Sequence, residues 1–398
     1  MDPEEQRQSE KVRPLNIVKV NRKAAVRAAS GHPWLFSSDV VDMKSATPGE
    51  AVQVNEDRGK FLGIAHFSST SQITLRLLTN KHEPIDRDFY LRRLRQAIAH
   101  RDRVVQNSNA CRLVFSEGDL LPGLIIDRYG FYLVLQSLTQ GMDRAQDEIV
   151  SCLIELLQPA GILARNDATV RRLEGLPQEV KVLAGDIPEK VIVEMNGLKL
   201  TADLLKGQKT GTYLDQRENY VAAARYARGR VLDCFSSTGG FALHVAKQVE
   251  SVDAVESSAL AIETARANAA ANGIDNIHFR QADVFDYLSG RDARYSMIIL
   301  DPPAFAKSRK QVEDAARGYK DINVRALRML QPGGVLVTCS CSHHINEATL
   351  FEILAEAALD TGKTLRVLER RTQAADHPIL LTVPETLYLK CLIFEVLS

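Results

Sequence analysis

The sequence predicts an α/β protein in three parts: a small β-rich domain, a central α+β domain and a C-terminal doubly wound sheet of largely parallel order. Three observations carry this. The chain has 398 residues, against roughly 100–200 for one domain. From about residue 196, short apolar runs alternate with helical stretches, the pattern of buried parallel strands with crossover helices. Before that point, short β-like runs are broken by turn residues.

Composition sets the class. Hydrophobic residues are 45% and charged residues 25% of the chain, the proportions of a folded globular protein rather than a disordered or fibrous one. Lys plus Arg and Asp plus Glu are 50 each, which excludes a polycation. Locally, residues 14–103 hold 15 Lys/Arg against 9 Asp/Glu, a mild basic excess. No apolar run reaches the ~20 residues of a membrane span. The start, MDPEEQRQSEKVRP, has no hydrophobic signal core, so residues 1–13 are expected to be a disordered leader and the protein cytoplasmic. Six scattered cysteines without a CxxC pair argue against a disulfide scaffold and against a zinc site.

The first part, residues 14–78, reads as strands LNIVKV, AVQV, FLGIAHF and ITLRLL, with SGHPW, TPGE and NEDRGK as turns. In residues 79–195, DRDFYLRRLRQAIAHRDRV places Phe89, Leu91, Leu94, Ile98 and Val105 at helical intervals, a basic helix or a packed amphipathic one. Residues 111–136 are expected to form a hairpin turning at Asp127-Arg128-Tyr129-Gly130, followed by a helix over 142–158. The third part, 196–398, supplies strands VLDCF, SVDAVE, IHFRQAD, SMIILD, GGVLVTCSC and KCLIFEVL, with helices over 239–249, 257–272, 311–330 and 347–361.

Ligands of such sheets bind at the carboxyl ends of the strands. There, Asp233-Cys234-Phe235 leads through Ser236-Ser237-Thr238 to Gly239-Gly240 and a helix start, an anion-friendly turn with close backbone approach. Glu256 ends the next strand 23 residues after Asp233, where an acid binds ribose hydroxyls. A nicotinamide site would want G-x-G-x-x-G, which is missing. Asp283 follows the third strand, and Asp301-Pro302-Pro303 closes the fourth.

Asp233 with TGG, Glu256, Asp283 and DPP, in that order and each at a strand end, resemble the motif series of class I S-adenosylmethionine-dependent methyltransferases, whose sheet is Rossmann-like. The resemblance implies S-adenosyl-L-methionine as cofactor. It gives Asp233, Gly239 and Gly240 to the methionine part, Glu256 to the ribose and Asp283 to the adenine, with Phe235 and Ser236 as further cofactor contacts.

The fifth strand, Gly333 to Ser342, resembles the GG-x-LVYSTCS run of RNA cytosine-C5 methyltransferases, which places the nucleophile on Cys341 and Cys339 over a serine. Cytosine C5 is a poor nucleophile; thiolate addition at C6 makes the ring an enamine, C5 attacks the sulfonium methyl, and elimination restores aromaticity. Residues 339 and 341 project to one side of a strand, and the next helix start favours a thiolate at Cys341. The plain alternative is two buried packing cysteines. Asp301 is expected at the pyrimidine N3 edge. In DPPAF, Ala304 stands before the aromatic Phe305, a departure from the amine-methylating pattern, and it occupies the place of a second cysteine, which leaves the acceptor of the C5 proton open.

The whole chain resembles the RlmI-like family of 23S rRNA large subunit methyltransferases, which have an N-terminal PUA-like RNA-binding domain, a central α/β domain and a class I catalytic domain. The resemblance rests on Gly31-His32-Pro33-Trp34-Leu35-Phe36, EGDLLPGLIIDRYG (117–130), KTGTYLDQREN (209–219), LDPPAF and TCSCS. It implies cofactor or active-site contacts at Thr212, Tyr213, Asp215, Gln216 and Arg217, where a capped turn is the plain alternative. Trp34 reads as a core anchor. The implied partner is 23S rRNA, with a second copy of the chain also allowed, and the target cytosine must be flipped out of its stack. Lys307, Arg309, Lys310, Arg317 and Lys320 are candidate phosphate contacts or a solvated helix face. The rival readings are a same-fold RNA methyltransferase acting on a ring nitrogen or amine such as guanine's, and a non-catalytic RNA-binding assembly protein.

Overall fold

A computed structural model of the chain describes residues 15–43, 45–207, 209–289, 294–305 and 311–397. The expected leader 1–13, and Lys307, Arg309 and Lys310, lie outside them. Among the described residues no helix is long and apolar enough to cross a membrane.

The N-terminal sheet comprises β1 (Ile17–Val20), β2 (Trp34–Phe36), β3 (Val40–Asp42), β4 (Ala51–Glu56), β5 (Phe61–Phe67) and β6 (Ile73–Thr79), in the order β2-β6-β5-β4-β1-β3. Alternation drives it: Val18, Val20, Val52 and Val54 are fully buried, with polar residues between them. Helix α1 (Arg22–Ala29) was not expected. Its RKAAVRAA run is alanine-rich, and the Asn21 side chain caps it by accepting from Ala24 N, sufficient for a short helix without an apolar stripe. Trp34 is only half-buried; it leaves the core and donates through Nε1 to Glu117 at 2.8 Å, joining this sheet to the central segment.

The central sheet holds β7 (Ala110–Phe115), β8 (Leu124–Tyr129), β9 (Tyr132–Ser137), β10 (Gly161–Asn166) and β11 (Glu179–Gly185), in the order β11-β10-β9-β8-β7. The expected hairpin is therefore a three-stranded meander. Asp127 and Arg128 lie inside β8, and the turn falls at Gly130-Phe131. A polar pair looked like a turn, but Asp127 is fully buried against Arg112 at 2.8 and 2.9 Å, which lets a carboxylate sit within a core strand. Helix α2 (Arg87–Val104) buries Phe89, Tyr90, Leu91, Leu94 and Ala97. Its outer arginines are paired, Arg87 with Glu155 and Arg92 with Glu83, so the packed reading holds. The single helix expected over 142–158 is two, α3 (Gln140–Arg144) and α4 (Gln146–Leu157).

Hairpin β12 (Lys190–Met195) and β13 (Leu198–Asp203) leads to the largest sheet. That sheet contains β14 (Arg230–Cys234), β15 (Ser251–Glu256), β16 (Ile277–Gln281), β17 (Tyr295–Leu300), β18 (Leu330–Ser340), β19 (Leu365–Arg371) and β20 (Lys390–Val396). The order is β16-β15-β14-β17-β18-β20-β19, parallel through β18 and antiparallel at β20. Helices α5 (Arg217–Ala224), α6 (Gly240–Ala246), α7 (Ala259–Ala271), α8 (Val284–Tyr287), α9 (Val312–Met329) and α10 (Glu347–Thr361) cover it. Strand order reverses between β14 and β17, which opens a crevice at their carboxyl ends. Strand β19, LRVLERR, escaped notice because charged residues break its apolar run.

One buried cation ties the central segment to the catalytic sheet. Arg101 is 1% exposed; it donates to Asp119 at 2.5 and 2.7 Å, to Arg112 O at 2.7 Å and to Asp376 O at 2.8 Å. Replacing Arg101 by Met keeps volume but strands Asp119, so a loss of about 3–5 kcal/mol is expected, read as a lower urea midpoint.

Candidate active site

The chain leaves β14 through a strained turn. Phe235 and Ser237 adopt φ of +60° and +48°, and Gly239 +90°, left-handed values that cost the two side-chain-bearing residues energy and mark a functional loop. Glu256, at the end of β15, holds this turn: its Oε2 accepts from Ser237 N at 3.0 Å and its Oε1 from Ser258 N at 2.9 Å. Asp233 lies just behind, 1% exposed, with Oδ2 accepting from Ala242 N at 2.9 Å. Its Oδ1 and the Ser236 hydroxyl are buried without a partner, and burial pushes Asp233 well above the usual carboxylate range. At Gly240 any Cβ would come within 2.5 Å of the Tyr220 ring. Unspent polar atoms beside a bare-backbone helix start are what an amino-acid-bearing nucleoside cofactor requires.

A cavity of about 570 Å³ opens from this turn toward β17 and β18. Of the residues singled out from sequence, Tyr213, Asp215, Gln216, Phe235, Ser236, Gly240, Glu256, Asp301 and Cys341 line it. Asp233 and Gly239 stand behind the wall. Asp283 is outside: it is exposed and caps α8, accepting from Phe285 and Asp286 N. Thr212 is buried under the Tyr129 hydroxyl, and Arg217 is turned away to Asp376 at 3.3 Å. Both are structural supports of the wall.

The two cysteines separate. Strand β18 ends at Ser340, so its alternation does not carry to residue 341. Cys339 is fully buried opposite Cys391, whereas Cys341 is half-buried and lines the cavity. The expected helix-start effect at Cys341 is absent, because α10 begins only at Glu347. Burial, then Asp301, push the Cys341 thiol up, with Lys209 and Lys390 opposing. Asp301 itself is pushed up to about 7 by burial and by Asp215, although Gln216 Nε2 donates to it at 3.0 Å.

Asp215 is the counterpart. Burial alone would raise it, yet Lys209, His377 and Tyr388 hold its carboxyl well below the usual range. Lys209 Nζ and the Tyr388 hydroxyl both donate to Oδ2 at 2.6 Å, and Lys209 also lies 4.5 Å over the Tyr213 ring. Lys209 and Tyr388 were missed from sequence. Lys209 opens the KTGTYLDQR run and was within reach, but Tyr388 lies 173 residues beyond Asp215 and carries no local signal. Of the candidate phosphate contacts, Lys320 is paired with Glu356 and Asp360 on α10, and Arg317 with Asp314.

This architecture has close relatives. A PUA-like domain profile matches residues 18–80, and an S-adenosylmethionine-dependent methyltransferase profile matches 148–395, more than half the chain, beginning inside the central segment. The ribosomal RNA large subunit methyltransferase I of Tolumonas auensis is 44% identical over 378 residues, covering 91% of this chain and 94% of the relative. That of Shewanella amazonensis is also 44% identical, covering 92% and 95%. A solved structure from Streptococcus mutans, assigned as an S-adenosylmethionine-dependent methyltransferase, shares the fold at 22% identity, with a TM-score of 0.80 over 96% of this chain and 100% of that one. Another, in complex with SAH, reaches 0.83 at the same identity and coverage. The chain therefore belongs to the S-adenosylmethionine-dependent methyltransferase family, among the ribosomal RNA large subunit methyltransferase I proteins.

Proposed function

We propose that the enzyme methylates C5 of a cytosine in the large-subunit, 23S, ribosomal RNA through a covalent bond between Cys341 Sγ and C6 of the base. The observation that carries the reading is the position of Cys341: it shares the cavity with Asp301 and with the turn that fits the cofactor. The relatives' shared name supports the RNA, and a cytoplasmic protein fits such a substrate. The PUA-like segment fits recognition of a structured RNA by shape and backbone.

S-adenosylmethionine supplies an electrophilic methyl on sulfonium; Glu256, Ser236 and the Gly239-Gly240 helix start would hold it. The chain's residues prepare the acceptor. Since Cys341 is held toward its thiol form, ionisation accompanies target binding. Asp301, near neutrality in its own titration, takes up the thiol proton and in its neutral form donates to N3 as charge develops there. Sγ adds to C6, the C5=C6 electron pair moves to C5, and C5 becomes nucleophilic. After methylation the C5 proton passes to a solvent water, the C5–H electron pair re-forms the C5=C6 double bond and Sγ departs as thiolate, a good leaving group.

Three outcomes test this. Cys341→Ala should lower methyl transfer to large-subunit rRNA by about 10³-fold or more and remove the protein–RNA adduct that wild type forms with RNA bearing 5-fluorocytosine, seen as a shifted band on a denaturing gel. Unchanged turnover sinks the covalent route. Glu256→Gln should raise the dissociation constant for S-adenosylmethionine about tenfold, roughly one charge-assisted hydrogen bond, by calorimetry. For Asp301, burial favours the neutral form, so its stability cost is nil below about pH 4, where folded and unfolded chains are both protonated. The cost grows toward pH 7 and is complete above it. Asp301→Asn should thus stabilise the protein at pH 8, by on the order of 2 kcal/mol for a carboxyl partly open to the cavity, with no gain at pH 4, read by denaturant midpoints.

A further inference from the structure

We propose that Asp215 reads the 4-amino group of the target base, and is the residue that separates cytosine from uracil. The inference rests on the cytosine reading above.

Asp215 is 2% exposed and lines the same cavity as Cys341 and Asp301. Its two oxygens are unequal. Oδ2 takes both available donors, Lys209 Nζ and the Tyr388 hydroxyl, each at 2.6 Å. Oδ1 is buried and accepts nothing, a state that costs energy unless a donor arrives with a ligand. Its neighbours belong to the chemical end of the cavity: Asp301 closes β17, Cys341 follows β18 and Tyr388 precedes β20. The cofactor turn lies on the other side, after β14 and β15. A carboxylate kept ionised is an acceptor only. Cytosine presents an N4–H₂ donor at the position where uracil presents the O4 acceptor, so the first completes the Oδ1 hydrogen bond and the second meets a buried charge across an acceptor. A site built around such a bond rejects the analogue lacking it by about 10⁴-fold or more. Asp301, as donor to N3, and Asp215, as acceptor from N4, then address adjacent atoms of one base edge.

Asp215→Asn tests the assignment at nearly constant shape, because the amide can turn a donor toward O4. The expected result is a fall of about a hundredfold in kcat/KM on RNA with cytidine at the target, and uridine turnover rising above wild type, so that the cytidine-to-uridine ratio drops by about 10³. S-adenosylmethionine affinity by calorimetry should stay within twofold of wild type. An unchanged ratio, or cofactor affinity weakened about tenfold, overturns it. Should the variant not fold, the Cys341→Ala enzyme, which cannot form the adduct, decides by equilibrium binding: an oligonucleotide with pyrimidin-2-one at the target should bind about tenfold more weakly than one with cytosine, and equal binding overturns the proposal. Wild type producing no 5-methylcytidine would instead sink the reading beneath it.

Discussion

Buried carboxylates at the junction of the central segment and the catalytic sheet are the constraint on which the site depends. Asp127, Asp215 and Asp376 are each at most 2% exposed, and a carboxylate taken out of water must find cations or donors. Arg112 serves Asp127, Lys209 and Tyr388 serve Asp215, and Arg217 and His377 serve Asp376. Arg101 spans from Asp119 to the Asp376 carbonyl. Two further bonds cross between the segments, Arg112 N donating to Asp376 Oδ2 at 3.0 Å and the Thr210 hydroxyl to Asp127 Oδ2 at 2.5 Å, so the whole network is satisfied only when the segments are docked.

The same constraint sets the charge states at the chemical end. Asp215 is matched and stays ionised, while Asp301, close by and less well matched, is driven toward neutrality by burial and by Asp215 itself. Two carboxyls in one cavity are thereby pushed apart, the arrangement that assigns an acceptor and a donor. Cys341 shares this environment and is kept protonated until a base arrives, which suits an enzyme whose target must first be flipped from an RNA stack.

The sequence was most readable where periodicity and strand ends coincide. The β14–β18 alternation, the turn after Asp233 and Glu256 followed from buried-strand patterning and from where a doubly wound sheet binds ligands. Reading failed where tertiary partners override local character. Asp127 looked like a turn because its Arg112 partner is invisible locally. Cys339 and Cys341 looked equivalent because alternation gives no warning that β18 stops between them. Asp283 fitted a motif series yet caps a short helix. Tyr388, across the chain from Asp215, was beyond any local pattern, and α1 lacked the apolar stripe by which helices are found.

The most direct test of the central claim is mass spectrometry of the nucleosides in large-subunit rRNA, isolated from cells lacking the protein and incubated with the enzyme and methyl-labelled S-adenosylmethionine. The account predicts the label in 5-methylcytidine. Label in a methylated guanosine, or in a cytidine methylated on nitrogen, would contradict it.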